Sequence, residues 1–173
     1  RLGLTLPQGC DREYLGLDAA TAWRRTVEVA RWAEDIGFES LWVYVHMQVD
    51  PPPEEAAIFE TFVGLAALAV ETRRAPIGRL LLAAAYRNAG LTAKAISSVV
   101  FVSGGRAILG IGAGWKEDDW LAYRYGFPPA PERPSFLADH LPIIRRMLGP
   151  GPATWAGDTA PLVVPVPHPQ RLL

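Results

Sequence analysis

The spacing of apolar positions along this chain switches repeatedly between a strand pattern and a helix pattern. Leu2 to Pro7 is a short apolar run closed by Pro-Gln-Gly, which predicts a buried strand at 2–7. From about Asp18, a residue suited to cap a helix, Trp23, Val27, Ala30 and Ala33 recur on one helical face until Gly37 closes the run. Leu41-Trp42-Val43-Tyr44-Val45 is then apolar throughout, so residues 40–46 read as a parallel strand covered on both faces. Pro51 to Pro53 mark a loop, and Ile58 to Thr72 returns to helical spacing through Phe59, Phe62, Ala66 and Ala69. A third strand is expected at 76–84. A third helix follows from Leu91 to Val102, with Leu91, Ala95, Ser98 and Val102 at helical spacing and Gly104-Gly105 as its stop.

Residues 106–112 form the fourth strand candidate. A fourth helix is expected over 131–148, striped by Leu137, Leu141, Ile144 and Leu148, with a kink at Pro142 costing about 3 kcal/mol. Strand and helix thus alternate through four strands, which predicts an α/β architecture with a parallel sheet in the order one to four and right-handed crossovers. Prolines at 150, 152, 161, 165, 167 and 169 forbid a regular helix beyond Gly149, so 1–149 reads as the folded unit and 150–173 as a Pro-rich irregular tail.

Composition adds mainly exclusions. With 50% hydrophobic residues and a net charge of −1 over 173 residues, the chain can bury a core but has no basic stripe for nucleic acid. Charged residues interrupt every apolar run short of the roughly 18 that a membrane helix needs, so no membrane partner is expected. The single cysteine, Cys10, allows no internal disulfide and no multi-cysteine metal site; it reads as a loop thiol suited to a cytoplasmic setting. The first residue is Arg1 and not Met, and a missing extreme N-terminus is expected.

The most specific local chemistry lies in Ser103-Gly104-Gly105-Arg106-Ala107-Ile108-Leu109-Gly110-Ile111-Gly112-Ala113-Gly114-Trp115. Glycines at 110, 112 and 114 would let a backbone pass close to a flat ligand, and an indole follows at once. Ligands of parallel barrels sit at the carboxyl ends of the strands, which here are Gln8, Tyr44 to His46, Ala83 to Asn88, and Gly112 to Trp115. None of these is an obvious nucleophile or metal ligand. Glu117, Asp118 and Asp119 read as a solvated helix start.

Taken in order, Leu6-Pro7-Gln8-Gly9, Leu41-Trp42-Val43-Tyr44, Tyr86-Arg87-Asn88, Ala93-Lys94, Val102-Ser103-Gly104-Gly105-Arg106, Gly110-Ile111-Gly112-Ala113-Gly114-Trp115 and Tyr125-Gly126-Phe127-Pro128 resemble the bacterial luciferase-like oxidoreductases, especially the branch using coenzyme F420. The resemblance implies a (β/α)8 TIM barrel, of which this chain would be a truncated N-terminal half-barrel of about four strands. It further implies F420, or alternatively FMN, as cofactor and a small organic substrate. Cofactor contacts would come from Ala83, Ala84, Asn88, Gly112 and Gly114, with a non-prolyl cis peptide near Ala83 and Ala84 backing the ring. His46 would be the catalytic candidate, and Tyr44 and Trp115 would face substrate. His46 also reads as a hydrogen-bonded strand-end histidine, Trp115 as a cap on the core, and Arg87 and Asn88 as residues that hold their own loop.

Val45 stands where the family usually has the Asp of an Asp-His pair, and Val100 where a second Asp is usual; each exchange removes a hydrogen-bond acceptor. Ala89-Gly90 replaces the usual Asn-Pro-Ala continuation. The resemblance stops before a fifth strand, so the family's phosphate-gripping loop is expected to be absent. The alternative reading is a non-catalytic truncated paralogue that acts as an interaction subunit. An open half-barrel leaves free edges and an apolar face, so a homo-oligomer or association with a full-length relative is expected.

Overall fold

The computed structural model describes residues 2–50 and 56–150, with the backbone of 154–155 and 162–163. The proline loop at 51–53 and most of the tail lie outside the described residues. Strand β1 (Gly3–Thr5) leads through a loop to helix α1 (Ala19–Asp35), whose first turn is capped by Asp18 accepting from Thr21 N. Strand β2 (Ser40–Tyr44), helix α2 (Thr61–Glu71) and strand β3 (Ile77–Leu80) follow. β1 pairs with β2 and β2 with β3, both parallel, with Leu41 opposite Ile77 and Tyr44 opposite Leu80.

The third expected strand is broken. Its ladder with β2 ends at Leu80, and the two-residue β4 (Leu82–Ala83) turns away to pair with a different neighbour. The non-prolyl cis peptide is Leu80–Leu81, upstream of the Ala83–Ala84 position expected for it, because the paired strand ends earlier than the apolar run suggests. The fourth strand divides in the same way into β5 (Ala107–Ile108), paired with β3, and β6 (Ile111–Gly112), paired with β4. The four-stranded order is β1-β2-β3-β5, all parallel, as the alternation of elements predicts.

Helix α3 (Ala89–Ser103) begins two residues before the expected Leu91, because the Asn88 side chain caps it by accepting from Leu91 N. It ends at Gly104, whose φ of 66° is the left-handed conformation that favours glycine. Helix α4 (Glu117–Ala122) is short, and α5 (Arg133–Leu148) continues through Pro142 without ending there. The tail contains one ladder that the prolines did not suggest, β7 (Thr154–Trp155) antiparallel to β8 (Leu162–Val163).

Alternation along the strands divides the sheet into two faces. Leu41, Val43 and Ile77 point to the helices and bury themselves among Leu65, Leu68, Ile96 and Val99. Trp42 points to the opposite face, where Gly3 and Gly78 on the flanking strands leave room for its ring. A Cβ at either glycine would lie 2.6 Å from the indole. Arg79 sits on the helix face, fully buried, its guanidinium 3.6 Å from the centroid of Phe62 and without a hydrogen-bond partner. Burial pushes it down to about 9.

Two charged side chains hold the segment that enters β3. The Glu34 carboxylate accepts from the backbone N–H groups of Arg73, Arg74 and Ala75 at 2.6–3.2 Å. Arg106 donates from the other side to Thr72, Ala69 O, Thr72 O, Ala75 O and Ser103 O. Burial alone would raise Glu34, but these backbone donors and the Arg106 charge outweigh it and hold the carboxyl below its ordinary range. A carboxylate depressed in the folded state stabilises fully above its unfolded value of about 4.3, and that stabilisation is lost as pH falls through the folded value. Glu34→Gln is therefore expected to cost about 1.5–3 kcal/mol at neutral pH, from lost charge-assisted hydrogen bonds. Urea unfolding of both proteins at pH 7 and near pH 3 checks this, and the difference should shrink at the lower pH.

Candidate functional site

The carboxyl ends of the strands meet at a cavity of about 550 Å³. Its lining comes from the end of β2 (Tyr44, Val45, His46), the break in the third strand (Leu80, Leu81, Ala83), Tyr86, and the run Gly112-Ala113-Gly114-Trp115-Lys116. Parallel strands put these ends together because all of them run the same way. The Gln8 side chain extends the β1–β2 ladder past its last regular pair. Its amide donates to Tyr44 O at 3.0 Å and Phe59 O at 2.9 Å, while its oxygen accepts from Tyr44 N at 2.7 Å. Gln8 thus acts as a surrogate peptide group that positions Tyr44.

His46 lies between two aromatic rings, 6.1 Å from Tyr44 and 5.6 Å from Trp115 between centroids, the latter edge-on at 82°. Its Nδ1 is 2.8 Å from Oδ2 of Asp119. Asp119 is fully buried, which corrects the expectation of a solvated acidic helix start. The i, i+3 and i+4 positions Lys116, Asp119 and Trp120 share the buried face of α4 and its N-terminal flank, and the fully buried Trp120 marks that face. That spacing was the available signal, masked by three consecutive acidic residues. Val45 lines the cavity without a carboxylate, and the carboxylate meeting His46 comes from Asp119 instead.

Of the residues singled out in the sequence, Tyr44, His46, Ala83, Gly112, Gly114 and Trp115 line this one cavity. Trp115 is 71% exposed, so it stands at the rim and does not cap a core. Ala84 is fully buried and Asn88 is occupied as the helix cap; neither lines the cavity. Arg87 pairs with Glu60 at 2.6 Å, away from the lining.

The glycines serve packing as well as lining. A Cβ at Gly110 would fall 2.0 Å from Arg79 O, so it is the approach of the two strands that requires glycine there. A Cβ at Gly114, where φ is 85°, would meet Ala83 and Trp120 at 2.8 Å. At Gly112 it would touch Leu81 at 3.3 Å. The space expected to admit a flat ligand is thus held by Leu81 and Trp120, and those side chains form the wall that a ligand would meet.

A flat ring system fits this lining. Leu80, Leu81, Val45 and Ala83 give it an apolar bed, while His46 and Lys116 supply polar edges, and the volume lies within the range of roughly 300–1,000 Å³ usual for small-molecule sites. Lys116 is largely neutralised by Asp50, its Nζ 2.8 Å from Oδ2, and the Asp50 carboxyl is held low by that hydrogen bond and charge. The surroundings of Cys10 disfavour its thiolate. Burial first, and then the charges of Asp11 and Glu13, push its thiol up to about 12. Cys10, Asp11 and Glu13 do cluster, but Glu13 spends its oxygens on the backbone N–H groups of Gln8, Gly9 and Asp11. No helix among the described residues is long and apolar enough to cross a membrane.

A parallel sheet with outer helices, and a cavity at its strand ends, is the arrangement of part of an α/β barrel. The chain belongs to the luciferase-like monooxygenase family, whose sequence profile matches residues 8–172. It is 30% identical over 145 residues to 4-hydroxyprotoasukamycin monooxygenase of Streptomyces nodosus subsp. asukaensis, covering 83% of this chain and 37% of that protein. It is also 30% identical over 142 residues to the F420-dependent glucose-6-phosphate dehydrogenase of Amycolatopsis mediterranei, covering 81% of this chain and 42% of the relative. The fold matches the oxygenating constituent of 3,6-diketocamphane monooxygenase from Pseudomonas putida, solved with FMN, at a TM-score of 0.76 and 19% identity. That match covers 96% of this chain and 44% of the other. The neighbours are TIM barrels, and this chain spans less than half the length of each of these relatives.

Proposed function

We propose that this chain is the ring-binding N-terminal half of a luciferase-like oxidoreductase, in which hydride passes between coenzyme F420, or alternatively FMN, and a small organic substrate. The observation that carries this reading is the single cavity joining Tyr44, His46, Ala83, Gly112, Gly114 and Trp115 at the carboxyl ends of parallel strands. F420 is favoured because a relative named for that cofactor aligns over 81% of the chain. A bound deazaflavin or flavin would supply the hydride chemistry. Leu80 and Leu81 would bed the ring, and Trp115 at the rim would stack on substrate and exclude water. His46 would hold or accept a proton at Nε2, the ring nitrogen not engaged by Asp119.

Titrating the purified chain with F420 and with FMN, followed by ligand fluorescence, tests this reading. Saturable binding of F420 is expected. Trp115→Ala should weaken it about three- to tenfold, the equivalent of an aromatic contact worth roughly 0.5–1.5 kcal/mol. No binding of either cofactor would overturn the assignment.

The second reading, an interaction subunit, is favoured by a separate observation. β1 and β5 each pair on one side only among the described residues, and Leu80, Leu81 and Ile108 are exposed near the open side of the sheet. Val63 and Val70 on α2, with Leu91, Phe101 and Val102 on α3, add exposed apolar side chains on the outer helices. A chain with these surfaces is expected to pair with a second copy or a full-length relative, since soluble monomers rarely expose large contiguous apolar patches. Its single buried cysteine suits a reducing, cytoplasmic setting. Sedimentation velocity at micromolar concentration should show a dimer or larger species; a well-folded monomer would contradict this.

A further inference from the structure

We propose that Asp119 is a positioning residue for His46, and that it is the middle point of a three-point clasp by which residues 116–123 fix the loop after β2. The purpose of the clasp rests on reading the cavity as a ring site, whereas its geometry stands without that reading.

Three side chains on one face of α4 and its flanks reach three positions in one short loop. Lys116 Nζ donates to Asp50 Oδ2 at 2.8 Å, Asp119 Oδ2 meets His46 Nδ1 at 2.8 Å, and the Tyr123 hydroxyl donates to Met47 O at 3.0 Å. Residues 116, 119 and 123 are spaced i, i+3 and i+7, so about two helical turns, α4 and its flanks, present all three together. Trp120 anchors that face by packing edge-on against Tyr86 and Phe127, with centroids 5.3 and 5.7 Å away. The loop is fastened at its far end as well, where Asp50 N donates to Cys10 O at 2.8 Å.

The middle contact sets the chemistry of His46. An ionised carboxylate can only accept a hydrogen bond, so Nδ1–H of His46 donates to Asp119. In the neutral ring the lone pair then belongs to Nε2, on the opposite side of the imidazole, and His46 lines the cavity. A ligand N–H or O–H that reaches His46 therefore finds an acceptor. Asp119 is fully buried and its Oδ1 has no hydrogen-bond partner, so among the described residues the contact with His46 is the hydrogen bond of its carboxylate and the chief compensation for burying the group. The site gains a fixed acceptor at a position where Val45 supplies no carboxylate.

Long-range 1H–15N correlation spectra of the full chain read the tautomer directly, and the spectrum of His46→Gln identifies the His46 signals among the three histidines. In the unsubstituted protein, at a pH where the ring is neutral, Nδ1 should read as protonated and Nε2 as bare. In Asp119→Ala that bias should be lost. A ring protonated at Nε2, or a tautomer unchanged in Asp119→Ala, would overturn the positioning role. Tyr123→Phe and Lys116→Met cut the outer points without touching the core contact, and each should make the Asp50 amide exchange several-fold faster. Unchanged exchange in both would overturn the clasp. Neither readout needs a cofactor, so an intact tautomer alongside failed F420 and FMN binding would bring down the ring-site reading alone.

Discussion

The parallel register of β2, β3 and β5 is the constraint on which the site depends. A slip of one residue in β3 would exchange its two faces, sending Arg79 toward Trp42 and Gly78 toward the helices. Glu34 and Arg106 oppose that slip from the amino end of the strand. One accepts the backbone donors of 73–75 and the other donates to acceptors in 69–75, so the chain entering β3 has little freedom to shift. The glycines complete the constraint. Gly78 admits the Trp42 ring and Gly110 admits the Arg79 carbonyl, each at distances that a side chain would forbid.

With the register set at one end, the opposite strand ends can form a cavity from pieces far apart in sequence. The loop after β2 and the segment before α4 are joined by His46–Asp119 and Lys116–Asp50, contacts spanning 73 and 66 residues. Such long-range polar contacts cost desolvation, and they repay it only when the geometry is held by the surrounding packing. Trp120, buried against Tyr86 and Phe127, supplies that packing. The order of dependence thus runs from the Glu34 and Arg106 pins, through the strand register, to the His46 side of the cavity.

The sequence made the architecture legible because period is a long-range signal. Apolar runs of 40–46 and 76–84 could only be strands between helical stripes, and Asp18 and Gly104 stand at the observed helix ends. The breaks at Leu81 and at Leu109-Gly110 left no trace, since leucines within an apolar run look alike whether or not their backbone stays in a ladder. Strand ends were overestimated for the same reason. Within the site, residues at strand ends were readable from topology, and six of them line one cavity. Ala84 and Asn88 do not, because a short 3₁₀ turn at Ala84–Tyr86 and the cap of α3 carry them away from it. Asp119 is hidden in an acidic run whose other members are solvated, and Arg79 and Lys116 carry no sequence signal of their positions because charged side chains are seldom buried.

The central claim is that a flat ring lies against the carboxyl ends of these strands, and methyl resonances report its position most directly. In a 13C-methyl-labelled chain titrated with F420 and with FMN, shifts should be confined to Val45, Leu80, Leu81, Ala83 and Ala113 around the cavity. Shifts centred instead on Val63, Val70 and Leu91 of the outer helices would contradict it.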